Sequence, residues 1–198
     1  MRSDTPVHAQ RDRIVFSRSA GFRAHRSGQS LVESCIVLAV VCLVFMGVFQ
    51  VSQLFAAKEV LQYAAGRGLR AKTVGLNRFM VRKTVRVGAI PVAGRMTSPA
   101  YTGGAAGEHA LEVPRIPLYL GAETDGRLNA ILDYDRWDSI RIPSPSLSLG
   151  GALHLVLGQD YPLNIAMHRA YYADDTVPLT GESFLDSHST LYLNNEDF

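Results

Sequence analysis

Cysteine is nearly missing from this chain: there are two, Cys35 and Cys42, and none in residues 58–198. A disulfide framework and a thiolate metal site are thereby excluded from the larger part of the sequence. The two that exist sit seven positions apart in one apolar run, about 10 Å along a helix and too far to bridge each other. Charge is missing too, but locally. From Ser34 to Ala57, 24 positions, no residue carries a formal charge, and a helix of that length crosses a hydrocarbon layer of about 30 Å. Charged residues make up only 19% of the chain and the formal net charge is +2, which implies no nucleic-acid partner. No internal repeat is visible.

Signatures of catalysis are also lacking. Gly181-Glu182-Ser183-Phe184-Leu185 has no second glycine and is not a nucleophile elbow. Asp133-Tyr134-Asp135-Arg136-Trp137-Asp138 places acids as a calcium loop does but lacks its glycine and distal glutamate. The histidines His109, His154, His168 and His188 show neither an HExxH motif nor i, i+4 pairing. The reading is a non-enzyme with no catalytic residue, no metal site and no cofactor.

What is present begins with a basic leader. Residues 1–28 hold six arginines and two acids with little apolar periodicity, the composition of a cytoplasmic flank. An ordinary signal peptide would start its apolar core earlier and follow it with a small-x-small cleavage site. Here the apolar segment is expected to stay in the mature protein. Residues 29–57 are read as a transmembrane helix with the N-terminus cytoplasmic and the C-terminus periplasmic. Basic residues on the two sides nearly balance, so the orientation rests on the shortness of the leader. Glu33 stands at the mouth of the apolar run, a costly place for a carboxylate without an assigned partner.

Residues 58–87 continue the helical pattern as a basic amphipathic extension. Ala57, Leu61, Ala64, Gly68, Ala71 and Gly75 recur at alternating spacings of four and three, forming a narrow stripe on which another helix can pack closely. The opposite surface carries Arg67, Arg70, Arg78, Arg82 and Arg86, and Lys58 to Arg95 holds nine basic residues against one acid. Gly66, Gly68 and Gly75 predict a kink or break. Asp174 to Phe198 is the reverse, with six acids and no lysine or arginine, and suggests a charge-complementary contact within or between subunits.

Residues 88–198 read as a β-rich domain with short runs at Ala110–Val113, Ile116–Leu120, Ser139–Ile142, Leu153–Leu157 and Thr190–Leu193, and a short helix within Gly121–Asp133. The fold class expected is α+β, with the second half of a long N-terminal helix packed against a small, mostly antiparallel sheet.

Gly28-Gln29-Ser30-Leu31-Val32-Glu33 with the apolar run behind it resembles the start of TadE-like pseudopilins, minor subunits of bacterial tight-adherence (type IVc) pilus systems. Lys58 to Arg70 is similar to the alanine- and arginine-bearing segment that follows the membrane helix in that family. The resemblance covers about Gly28 to Gly75. It implies cleavage by a prepilin peptidase between Gly28 and Gln29, with Glu33 as fifth mature residue and its charge pairing used in assembly. It also implies an inner-membrane location, transfer into a pilus-associated state, and other Tad pilins, the assembly platform and the bilayer as partners. Ser34 departs from the tyrosine frequent in major pilins of this class, and the C-terminal half offers only Tyr161-Pro162-Leu163 as a similar segment. The alternative class is a membrane-anchored periplasmic binding or sensor domain whose leader is not cut.

Overall fold

A computed structural model describes residues 26–101, 103–147, 151–163 and 172–186. The expected run Thr190–Leu193, His168 and His188 lie outside them. The chain divides into two compact units after Cys42. Helix α1, Arg26–Thr73, supplies the described part of the first unit and opens the second.

Helix α1 runs through Gly66 and Gly68 and stops at Gly75, whose φ of +89° is the left-handed conformation that glycine adopts without strain. The Gly75 N–H donates to the Lys72 carbonyl (2.9 Å) and the Leu76 N–H to the Ala71 carbonyl (3.1 Å), a Schellman stop. The helical stretch expected over 58–87 is therefore two helices. Asn77 caps the second, α2 (Arg78–Gly88), by accepting from the Met80 N–H at 2.9 Å. Helix α2 folds back along α1 through glycine contacts. A Cβ on Gly68 would lie 2.5 Å from Val85 Cγ2, and one on Gly88 would lie 3.1 Å from Ala64 Cα. Gly68 thus stays helical because its missing side chain is where α2 approaches.

A 3-10 turn at Ile90–Val92 leads to strand β1, Met96–Ser98. Helix α3, Ala105–Gly121, follows. It corrects the reading of Ala110–Val113 and Ile116–Leu120 as strands. Glu108, Leu111, Glu112, Arg115, Ile116, Tyr119 and Leu120 turn inward at helical spacing, while both prolines, Pro114 and Pro117, fall on the outward side. Arg115 Nη1 donates to the Leu111 carbonyl at 2.8 Å beside the bonds the prolines omit. The short helix expected within Gly121–Asp133 is α4, Asp125–Ile131.

Strand β2 (Asp133–Tyr134) pairs antiparallel with β1, and a 3-10 turn, Trp137–Ser139, occupies the start of the run expected as a strand at Ser139–Ile142. That run keeps one bridge, Arg141 to Gly158. Strands β3 (Ser146–Leu147), β4 (Ala152–Pro162) and β5 (Thr176–Asp186) form an antiparallel sheet in that order, with eleven registered pairs between β4 and β5. Leu153, Leu155, Leu157 and Gln159 alternate inward on β4. The sheet lies against the second half of α1, where Gly181 of β5 meets Leu61 and Ser183 meets Gly66. The architecture is α+β, as expected.

Three polar side chains are buried among the described residues of this unit, Gln50 of α1, Lys83 and Gln159. Lys83, 1% exposed, donates from Nζ to the Leu120 (2.5 Å) and Ala122 (2.8 Å) carbonyls and so closes the C-terminus of α3. Burial pushes its pKa below the ordinary lysine value. Gln159 donates from Nε2 to the Val92 carbonyl (3.2 Å) and to Ser139 Oγ (3.5 Å), joining the two 3-10 turns to the sheet.

Burial also raises the Tyr119 and Tyr134 hydroxyls above their ordinary value of 10.0; Arg86 pulls Tyr119 partly back, whereas Glu112 and Glu108 push Tyr134 further. Both groups keep their protons in the folded state after the unfolded chain has lost them. Their contribution to stability is complete below pH about 10 and is lost above it. The melting temperature is expected to fall as pH climbs past about 10, and less steeply in Tyr134→Phe. Lys83 acts oppositely below 10.5, so the readout is the difference between the two proteins. Identical alkaline limbs would contradict the assignment.

Candidate assembly site

The first unit presents its site as a bare helix surface. Between Leu31 and Phe55 the large apolar side chains of α1 other than Leu43 and Leu54 are 42–70% exposed, and the most apolar 18-residue window, of mean hydropathy 2.7, contains no buried residue. A helix apolar on all sides and uncovered is stable only against lipid or other apolar helices. Among the described residues this is the one helix long and apolar enough to cross a membrane. Cys35 and Cys42 are free and exposed on it.

Gly28 lies in α1, with Gln29 exposed directly after it. One turn later Glu33 is exposed as well, and among the described residues no basic group pairs with it. Ser30, Glu33, Ser34, Val37, Leu38 and Val41 line a shallow groove of about 500 Å³ beside it. Ser34 Oγ bonds back to the Ser30 carbonyl at 2.8 Å, which satisfies that hydroxyl within its own helix. The carboxylate is the polar group left over at the edge of the apolar surface.

The small-residue stripe belongs to the second unit and divides there. Ala57, Leu61, Ala64, Gly68 and Ala71 are buried inside this chain, whereas Gly75 is exposed at the helix stop. The helix that packs on Ala64 and Gly68 is the chain's own α2.

The other singled-out residues take structural positions. Asp133 accepts from the Tyr134 N–H (3.0 Å), Asp135 accepts from the Arg95 N–H (3.1 Å), and Asp138 pairs with Arg86 at 3.0 Å. His109 is exposed on α3, and His154 stacks on Phe184 with centroids 4.1 Å apart. Ser183 faces Gly66. The periodicity of the arginines placed Arg78, Arg82 and Arg86 together, and all three line one groove. Lys83, one of the nine basic residues between Lys58 and Arg95, stands one residue out of that i, i+4 row and is buried.

These observations define a protein with one apolar N-terminal helix, consistent with a single membrane anchor, carrying a small α+β unit. Residues 28–70, about a fifth of the chain, match the family model described as TadE-like protein. No curated protein and no solved structure matches the chain.

Proposed function

We propose that the chain is a minor-pilin-like structural subunit of a bacterial tight-adherence (type IVc) pilus system, cut by a prepilin peptidase after Gly28 and acting through assembly. The carrying observation is the family match, which starts at Gly28 and follows α1 to Arg70. The leader stays cytoplasmic and the α+β unit lies on the periplasmic side of the inner membrane, from which the subunit passes into a pilus-associated state. Other Tad pilins and the assembly platform are its partners there.

Cleavage creates an ammonium on Gln29, four residues or about 6 Å along the helix from Glu33. Out of bulk water an opposed pair interacts far more strongly than at a wet surface, and breaking it leaves one charge uncompensated. The uncovered apolar surface of α1 supplies the area that membrane helices bury when they leave lipid to pack on one another.

Glu33→Gln keeps the size and loses the charge. It is expected to be processed like wild type but recovered in the assembled, sheared fraction about tenfold less or worse, since losing one partner of a desolvated pair costs about 3–5 kcal/mol. Equal recovery of the two proteins would remove Glu33 from the assembly step.

A further inference from the structure

The second unit carries a groove of about 520 Å³ between α2 and the segment 140–145. Its rim is the row Arg78, Arg82 and Arg86, and its apolar lining includes Ile140, Ile142 and Pro143. Arg86 is shared with Asp138, whose side chain is 89% exposed and therefore easily exchanged for another carboxylate. The row spans eight residues of helix, about 12 Å.

A matching surface lies on β5 of the same chain. Glu182, Phe184 and Asp186 alternate outward, with Glu182 and Phe184 60% and 61% exposed. The two carboxylates are four strand residues apart, about 13 Å. An exposed phenylalanine between two acids is the complement of an apolar groove between arginines, in charge, polarity and length.

We propose that the groove receives the Glu182–Asp186 surface of a second copy of the chain, the two carboxylates meeting the ends of the arginine row and Phe184 entering the apolar lining. The chain's own β5 is not the occupant: it is paired along its full length to β4, and no residue lining the groove comes from either strand. Lipid headgroups fit less well. Helix α2 runs alongside α1 between Gly75 and Ala64, with Gly88 against Ala64, so the arginine row extends from about 13 to about 25 Å beyond Ala57, the last residue of the uncharged run. A headgroup layer is only about 5–8 Å deep. The contact uses different patches on the two copies and is therefore heterologous, a geometry that propagates as an open chain. It rests on the folded second unit and needs no cleavage at Gly28.

The test is sedimentation of the full chain in detergent over a range of concentrations and salt. Wild type should associate with concentration, and about tenfold or more less tightly when salt rises from about 50 to about 500 mM. Arg78→Glu alone and the double variant Glu182→Lys/Asp186→Lys alone should each stay monomeric, while mixing the two restores one contact per pair, because the unaltered groove of the double variant then meets the unaltered acidic surface of Arg78→Glu. Matched melting curves confirm that both variants fold. Failure of the mixture to associate would overturn the proposal, as would association of both variants at wild-type strength, which would assign self-association to α1 alone. Loss of binding to anionic vesicles in Arg78→Glu, with no self-association in wild type, would overturn it in favour of a membrane contact. None of these readouts depends on the N-terminus of the protein, so the contact and the processing step fail separately.

Discussion

Trp137→Ala lowers the melting temperature of the second unit by about 10–20 °C, the largest effect expected of any single side-chain truncation in it. Trp137 is fully buried in a 3-10 turn that has little structure of its own. Its ring lies 5.1 Å from Tyr119 of α3 and 4.8 Å from Tyr134 of β2, both tilted, with the Arg86 guanidinium of α2 above it at 5.7 Å. One side chain therefore ties two helices and a strand to the turn. Removing a buried tryptophan costs about 3–5 kcal/mol, because neighbours anchored in separate elements collapse poorly into the space. Tilted aromatic pairs add about 0.5–1.5 kcal/mol each beyond burial. For a unit of this size each kcal/mol is worth about 3–5 °C. Far-UV circular dichroism of the full chain in detergent measures the shift, and a fall of less than about 3 °C would show that the cluster does not organise the unit.

Gly181→Val separates the sheet from α1. A Cβ at this position would lie 2.5 Å from the carbonyl carbon and Cβ of Leu61 and 2.6 Å from the Gln62 nitrogen. Two of those atoms are main chain in the middle of a helix, so no rotamer change relieves the overlap, and either β5 or α1 must move. Overpacking costs about 1–3 kcal/mol where side chains yield, and more where backbone must shift. The expected loss is about 3 kcal/mol or greater, with the amides of β5 exchanging with solvent at least about a hundredfold faster. Gly126→Ala in α4 is the control, since nothing lies within 4 Å of its added Cβ, and it should be neutral or stabilising by up to about 1 kcal/mol. Equal protection of β5 in Gly181→Val and wild type would refute the close approach.

The same glycine shows why part of the fold was hidden in the sequence. Strand β5 alternates Val177, Leu179 and Leu185 inward, but at its centre Gly181 and Ser183 replace apolar residues where α1 comes too near for a large side chain. With Pro178 and the acids added, the segment reads by its charge and not as a strand. Helix α3 was hidden for a different reason. Pro114 and Pro117 signal chain breaks locally, and only the inward face shared across both prolines reveals a helix, which tertiary contacts at Tyr119 then hold. Lys83 was masked by its arginine neighbours, because a charge run does not say which member turns to the core. Long-period features were legible: the uncharged run that became α1, Gly75 as its stop, and the leucine alternation of β4. The proposed site at Gly28, Gln29 and Glu33 is readable because a linear motif beside an apolar helix does not depend on how the rest of the chain folds. The stripe from Ala57 to Ala71 was legible as a close-packing face, but its occupant, α2, depends on a turn at residues 74–77 that periodicity does not describe.

The central claim is that the chain enters an assembly route by losing its leader, and the N-terminus and intact mass of the membrane-extracted protein test it most directly. With an active prepilin peptidase the mature chain is expected to begin at Gln29. Without the peptidase, or in Gly28→Val, the leader should remain and the mass should rise by that of residues 1–28. An unchanged Met1 with and without the peptidase would contradict the account and make the chain an anchored periplasmic binding or sensor domain.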